Sequence, residues 1–264
     1  MRGAVLHAPH DLRIEERPDP RIVEPTDAVI RLSATCVCGS DLWPYRGIET
    51  VDGPAPMGHE YVGIVEEVGN AVTTITPGQF VIGSFFASDN TCEIYRAGYQ
   101  SSCIHRQPVG AIGTQAERAR IPVADGTLVA TPDIPDDDLV PSLLAASDVL
   151  GTGWFGAVAA EVAPGKTVAV VGDGAVGLLG VLAASQLGAE RIIVMSRHEP
   201  RQKLAVHFGA TTSSRSAATT APPASRTSPT GSAPTRPSRR SAPASRCCRP
   251  STPPAPAGTS ATSA

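Results

Sequence analysis

The sequence predicts an α/β protein with a β-rich first domain, an incomplete doubly wound domain and a disordered tail. Three observations lead to this prediction. Short apolar runs broken by Gly, Pro and Asp fill the chain up to about residue 130. A strand, a glycine turn, a helix and a second strand follow in KTVAVVGDGAVGLLGVLAASQLGAERIIVMSR. From residue 211 onward the chain uses only Ser, Thr, Ala, Pro, Arg, Gly and Cys.

The first domain, which we place at residues 1–150, is built from β-like runs. AVIRLSA, YVGIVEEVG and QFVIGSF are apolar stretches separated by turn residues, a pattern typical of an irregular, strand-rich domain. Residues 136–162 carry apolar side chains at spacings of three and four, which predicts helix. Pro164 and Gly165 end that helix.

The second domain, which we place at residues 151–210, contains a glycine turn between a strand and a helix. In GDGAVG, Gly172 makes the tight turn, Gly174 lets the backbone approach a pyrophosphate, and Gly177 lets the helix pack on the strand. Ala175 and Val176 complete this turn at the helix N-terminus, where backbone N–H groups attract phosphate. The turn therefore predicts dinucleotide binding, with a plain turn as the alternative.

The residues after the second strand predict the choice of cofactor. NAD enzymes carry an acid at this point, about twenty residues beyond the glycine turn, to bind the ribose hydroxyls. Here the chain has Ser196 and Arg197, a hydroxyl and a guanidinium that suit a 2′-phosphate. NADP is therefore predicted, with NAD as the second candidate and a merely solvated arginine as the alternative.

Two residues of the first domain are candidate metal ligands. Cys38 lies in CGSD and His59 in GHE, and each has a neighbouring glycine that lets the backbone come close. A thiolate and an imidazole in a β-rich domain suit a tetrahedral zinc ion with one open position. The pair alone is a weak signal, because isolated Cys and His side chains also occur in cores and on surfaces.

The motifs taken together resemble a known family. CVCGSD, PMGHEYVGIVEEVG and GDGAVG are similar to the zinc-dependent medium-chain alcohol dehydrogenases, over about residues 1–210. The resemblance implies a GroES-like, β-barrel-type catalytic domain followed by a Rossmann domain. It also implies Zn²⁺ and NADP as cofactors, and hydride transfer between a small alcohol and NADP, with aldehyde or ketone reduction in reverse.

The resemblance assigns roles to individual residues. Zinc would act as a Lewis acid on the alcohol oxygen while hydride passes to the nicotinamide. The roles it implies are zinc ligands at Cys38, His59 and Asp148, a carboxylate that approaches or leaves the zinc at Glu60, a proton-passing hydroxyl at Ser40, a carboxylate that orients the imidazole at Asp41, and a neighbour of the nicotinamide at Thr152.

A second lobe departs from the family pattern. Many members hold a structural zinc with four cysteines, and the matching positions here are Asp89, Cys92, Tyr95 and Cys103. Tyrosine is a poor zinc ligand, and two thiolates with one carboxylate do not complete the set. The sequence therefore predicts a metal-free or weakly metallated lobe and one zinc ion per chain.

The segment 211–264 admits two interpretations. It is either a disordered, basic tail that binds RNA or anionic surfaces, or a coding sequence out of register. Residues 211–221 can be spelled in codons that give DDIVAERGDDG when shifted by one base. In the same way, 235–242 and 255–264 give DATVEAVG and RPGGHVGYVG, which resemble later parts of the Rossmann sheet. We favour the out-of-register interpretation.

The charge distribution limits the partners. Residues 1–210 hold 15 of the 22 basic residues and all 25 acidic residues, whereas residues 211–264 add seven arginines. An acidic body argues against nucleic acid as its partner. The N-terminus predicts neither a signal segment nor a membrane span, so we expect a cytoplasmic protein.

Three functional hypotheses remain. The first is the dehydrogenase, impaired by the break near residue 211. The second is a non-catalytic remnant with a folded GroES-like domain, and the remote third is nucleic-acid binding through the arginine-rich tail. Full-length members of the family associate as homo-oligomers; we do not expect this of the present chain.

Overall fold

A computed structural model describes residues 1–110 and 112–214 of the 264-residue chain. Its first part is rich in strands, as the alternating runs predict. These strands are β1 (Arg2–Ala8), β2 (Asp11–Glu16), β3 (Ala28–Cys36), β4 (Ala55–Pro56), β5 (Glu60–Val68), β6 (Phe80–Gly83), β7 (Phe86–Ala87), β8 (Gln107–Pro108), β9 (Arg118–Ile121) and β10 (Leu128–Ala130). Three one-turn helices connect them: α1 (Leu42–Tyr45), α2 (Glu93–Arg96) and α3 (Ala124–Thr127).

A five-stranded antiparallel sheet forms the centre of the first part. Its order is β10-β6-β5-β3-β9, and β1 lies between β2 and β4 in a separate three-stranded sheet. Burial of apolar side chains along these strands supplies the main stabilising contribution. The fully buried core residues include Ala28, Ile30, Tyr61, Val81 and Ile121. This core holds β3 and β5 in a fixed register.

Two helices link the first part to the second. They are α4 (Val140–Ala145) and α5 (Val149–Ala159), so the helix predicted over 136–162 is interrupted just before residue 149. The helix α4 packs against β3 and β5. The helix α5 packs against the following helix through Gly153, where an added Cβ would lie 2.7 Å from the backbone nitrogen of Gly180. The two helices are therefore in backbone contact.

The second part alternates strand and helix, as predicted. Its elements are β11 (Thr167–Val171), α6 (Ala175–Gln186), β12 (Arg191–Met195), α7 (Glu199–His207) and β13 (Thr212–Ser214). The strands are parallel in the order β11-β12-β13. The sequence pattern predicts only two strands in this part. The structure differs from that prediction because it contains a third strand, β13. Parallel pairing uses backbone groups, and the polar segment after Thr211 pairs through them.

The third strand is fixed at its start by Thr211. Its backbone N–H donates to the carbonyl oxygen of Ile192 at 2.9 Å, and its hydroxyl accepts from the Ile192 N–H at 3.0 Å. The predicted disordered tail lies outside the described residues from 215 onward.

The strand β11 is the outermost strand of its sheet among the described residues. Its side chains alternate between partly buried and exposed, and Val171 is 77% exposed at its end. One edge and one face of this apolar strand therefore have no covering element within residues 1–110 and 112–214. No helix in these ranges is both long enough and apolar enough to cross a membrane.

Candidate functional site

Four potential metal ligands come together where the first part meets α5. One donor atom each from Cys38, His59, Glu60 and Asp148 lies within 4.8 Å of the others. The pairing of β3 with β5 sets Cys36 opposite Glu60, which brings the turn after β3 beside the start of β5. Asp148 arrives from the residue before α5. The structure thus groups the residues that the motifs single out.

The distances define the centre of this cluster. The carboxylate oxygen Oδ2 of Asp148 lies 3.4 Å from Nε2 of His59. The same oxygen lies 3.5 Å from Sγ of Cys38. The side chain of Glu60 is buried beside them, with the whole residue only 3% exposed. A thiol, an imidazole and two carboxylates facing one point are a donor set that suits Zn²⁺.

Asp41 holds two residues of this cluster in place. Its Oδ2 accepts a hydrogen bond from the backbone N–H of Cys38 at 2.9 Å, and its Oδ1 lies 3.3 Å from Nδ1 of His59. This fixes the ring so that Nε2 faces the cluster, which is the usual role of a carboxylate behind a metal-binding histidine.

Gln115 supports Asp41, and sequence reasoning missed it. Its Nε2 donates to Oδ2 of Asp41 at 3.3 Å and to the carbonyl oxygen of Cys36 at 3.4 Å. Gly58 makes room for it, because a Cβ at residue 58 would lie 2.6 Å from the backbone and side chain of Gln115. No motif in the sequence marks Gln115, since the contact depends on the fold alone.

The charges in the cluster are strongly coupled. Hydrogen bonds that the imidazole donates to Asp148 and Asp41 raise the pKa of His59 to about 11. The His59 ring in turn lowers the pKa of Asp148. Burial, followed by the nearby charge of Asp148, raises the pKa of Glu60. A metal ion that binds Nε2 must therefore displace a proton, which makes metal uptake weaker at lower pH.

Two further predicted residues lie around this centre. Thr152 lies on the exposed side of α5. Its hydroxyl donates to Oδ1 of Asp148 at 2.9 Å, so it orients that carboxylate. Ser40 is exposed in the turn between Cys38 and α1. It does not belong to the group of four ligands.

The glycine turn has the predicted form. Gly172 follows β11 with a φ of 116°, a conformation that favours glycine, and Gly174 is the N-cap of α6. A Cβ at Gly177 would lie 2.5 Å from the carbonyl oxygen of Gly172, so only glycine allows this close packing of helix and turn. Ala175 and Val176 begin α6 and are exposed. The first backbone N–H groups of α6 are available for phosphate.

The end of β12 contains a contact that the motif does not predict. Ser196 is buried, and its hydroxyl donates to Oδ2 of Asp173 at 2.7 Å. Arg201 forms an ion pair with Oδ1 of the same aspartate at 3.2 Å. Arg197 is exposed next to them. The end of β12 therefore holds one carboxylate from the glycine turn and two guanidinium groups.

The second lobe carries Asp89, Cys92, Tyr95 and Cys103. Cys92 and Cys103 are both buried, and the Sγ of Cys92 accepts a hydrogen bond from the backbone N–H of Tyr95 at 3.3 Å. The thiol of Cys103 donates to Oδ1 of Asp89 at 3.4 Å. Tyr95 contributes its backbone to this lobe.

Known proteins are similar to this chain in sequence. The family model of the alcohol dehydrogenase GroES-like domain matches residues 24–133. A medium-chain reductase/dehydrogenase (ucsI) of Acremonium sp is 37% identical over 220 residues, covering 80% of this chain and 74% of that protein. The chain belongs to the medium-chain alcohol dehydrogenase family. This confirms the resemblance of the motifs and the GroES-like plus Rossmann architecture, and it places the chain among oxidoreductases.

Solved medium-chain alcohol dehydrogenase structures have the same fold. The alcohol dehydrogenase of Thermus sp. ATN1 has a TM-score of 0.73 at 32% identity, covering 80% of this chain and 62% of that one. A zinc-binding dehydrogenase of Sinorhizobium meliloti 1021, solved with NADP, has a TM-score of 0.70 at 27% identity, covering 81% and 61%. The chain thus spans about three fifths of each solved structure.

Proposed function

We propose that this chain derives from a zinc-dependent dehydrogenase that transfers hydride between a small alcohol and NADP, with NAD as the second candidate. The observation that carries the proposal is the meeting of Cys38, His59, Glu60 and Asp148 beside the start of α5. The names of the relatives, which include a zinc-type alcohol dehydrogenase of Aspergillus flavus, support the same chemistry.

Each residue of the site has its own role in the proposed reaction. Bound zinc supplies Lewis acidity for the alcohol oxygen, and bound nicotinamide supplies the hydride acceptor. Cys38, His59 and Asp148 are the metal-binding residues, and Glu60 is a buried carboxylate that can exchange with them. Asp41 keeps Nε2 of His59 aimed at the centre. The exposed Ser40 hydroxyl accepts the proton of the alcohol and passes it toward solvent.

The cofactor is proposed to bind along the second part. The N–H groups at the start of α6, from Ala175 to Gly177, bind the pyrophosphate. Arg197 and Arg201 outnumber the carboxylate of Asp173, so the region has a net positive charge that favours a 2′-phosphate. The NADP in the structure from Sinorhizobium meliloti supports this choice.

Replacing Arg197 tests the cofactor assignment. We expect Arg197→Ala to weaken NADP binding about tenfold or more while changing NAD binding little, because only the 2′-phosphate loses a charge-assisted hydrogen bond. Titration of each cofactor measures the two affinities. The matched control is Arg191→Ala, an exposed arginine at the other end of β12. Equal losses for both cofactors with Arg197→Ala would remove the phosphate assignment.

We also propose that the coding sequence shifts register near codon 211. Residues 215–264 contain no large aliphatic or aromatic residue, so they offer little to bury in a Rossmann sheet. The shifted text DDIVAERGDDG supplies two apolar residues, Ile and Val, at positions 213 and 214, where β13 pairs with β12. Sequencing the DNA across codons 209–213 tests this directly, and an unbroken frame there would refute it.

The proposed activity is tested with the frame-restored protein. Loaded with Zn²⁺, it is mixed with NADP and a panel of primary alcohols, secondary alcohols and polyols, and the reduced nicotinamide is followed by absorbance. We expect reduction that requires both the alcohol and the zinc. Zinc-loaded, NADP-binding protein that reduces no cofactor with any alcohol would favour the non-catalytic remnant instead.

A further inference from the structure

Asp173 is the residue of the glycine turn GDGAVG to which the motif assigns no role. It lies two residues beyond Val171, the last residue of β11, and Ser196 follows Met195, the last residue of β12. Val171 and Met195 are register partners, so Asp173 and Ser196 lie side by side at one edge of the sheet. This edge is formed by the carboxyl ends of parallel strands, where doubly wound sheets bind their ligands.

The side chain of Asp173 turns toward the end of β12 and is only 14% exposed. Its carboxylate accepts two hydrogen bonds, one from the Ser196 hydroxyl at 2.7 Å and one from the Arg201 guanidinium at 3.2 Å. The hydrogen bond from Ser196, with a further one from Arg201, holds the pKa of Asp173 below its usual range. The carboxylate is therefore negatively charged at neutral pH.

These contacts occupy groups that a 2′-phosphate would use. The Ser196 hydroxyl has a single proton, and its shortest contact directs that proton to Asp173. Arg201 directs one of its N–H groups at the same carboxylate. A phosphate at the end of β12 gains the exposed Arg197 but also faces the charge of Asp173, and two negative charges repel each other strongly where water is partly excluded.

We infer that Asp173 opposes the 2′-phosphate of NADP and thereby limits the preference of this site for NADP over NAD. The inference rests on the proposed function, which puts the adenosine ribose of the cofactor at the end of β12. A carboxylate there can accept hydrogen bonds from the ribose hydroxyls, as the acid of NAD enzymes does, but here it comes from the glycine turn. Loss of its charge would free Ser196 and Arg201 for the phosphate.

The test compares two mononucleotides that differ only in the 2′-phosphate. Adenosine 2′,5′-bisphosphate and adenosine 5′-monophosphate represent the adenosine halves of NADP and NAD, and each half of a doubly wound sheet is a mononucleotide-binding unit. Asp173→Asn removes the charge but keeps an oxygen that accepts from Ser196. In calorimetric titrations of the 264-residue chain, we expect the ratio of the two affinities to shift about tenfold or more toward the bisphosphate.

Further variants separate a charge effect from a structural one. The neutral variant Asp173→Ser should shift the ratio in the same direction, and both shifts should decrease at high salt because the groups are partly exposed. Glu190→Gln is the matched control, since it removes an exposed acid just before β12 and should leave the ratio unchanged. The frame-restored protein is titrated in parallel with NADP and NAD, and the same shift is expected there.

The possible contrary results have different meanings. Equal gains for both mononucleotides would show that Asp173 acts on the 5′-phosphate, and an unchanged ratio would show that it acts on neither phosphate. Either result overturns the inference and leaves the proposed dehydrogenase function standing. If neither form of the wild-type protein binds any of these nucleotides, the cofactor assignment is wrong and the inference fails with it.

Discussion

Restoring the reading frame after Ala210 is expected to increase NADP-dependent alcohol oxidation at least about 100-fold over the 264-residue chain. A doubly wound sheet binds its dinucleotide where strand order reverses, so it needs strands on both sides of the first one. Here β11 has a neighbour on one side only among the described residues. The measurement is turnover and NADP affinity of the two proteins, purified side by side.

Proteolysis supplies the control for this comparison. We expect the tail of the 264-residue chain to be cut beyond residue 214, because it contains no large aliphatic or aromatic side chain to bury, while the restored segment resists cleavage. A short chain that resists proteolysis there and oxidises alcohol at a comparable rate would contradict both the frame proposal and the functional role we give to the strands that the restored frame would encode.

Replacing His59 in the frame-restored protein is expected to have the second large effect. His59→Ala removes the imidazole that Asp41 aims at the cluster, so the zinc of this site is lost. The turnover number should fall by about 1,000-fold or more, because Lewis-acid stabilisation contributes several kcal/mol to such reactions. Zinc analysis and steady-state kinetics of the same sample measure the two losses.

Gln115→Ala is the graded comparison for His59→Ala. It leaves all four ligands in place but removes a support of Asp41, so we expect zinc affinity to fall by about 10- to 100-fold with turnover retained at saturating zinc. If Gln115→Ala abolishes turnover at saturating zinc, Gln115 has more than a positioning role. If His59→Ala keeps both zinc and activity, the assignment of the site is wrong.

The sequence was informative wherever a short motif matches a local structure. The glycine turn lies between β11 and α6 as its spacing predicts, and the strand runs of the first domain recur as β3, β5 and β6. Cys38 and His59 also meet, since Cys38 follows β3 and His59 precedes β5, and these two strands pair directly. In these cases each motif lies on or next to a regular element that its own residues predict.

The sequence did not predict contacts between segments that lie far apart along the chain. Gln115 reaches Asp41 from 74 positions away, and Asp173 turns from its glycine loop to Ser196 across 23 positions. No periodicity marks such residues, because a single hydrogen bond imposes no pattern on its neighbours. The third strand was missed for a related reason: Thr212 pairs with Ile193 through its backbone, which the composition of the segment does not reveal.

The contact between Cys38 and Asp148 joins positions 110 residues apart in the chain. A metal ion held by both would act as a cross-link that closes this long loop, and it would do so at the first turn of α5, the helix that packs on α6. The restriction would then reach the glycine turn through the backbone contact at Gly153. Removing the metal would therefore make the connection between the first and second parts of the chain less rigid. Occupancy of the metal site would in this way change the rigidity of the glycine turn.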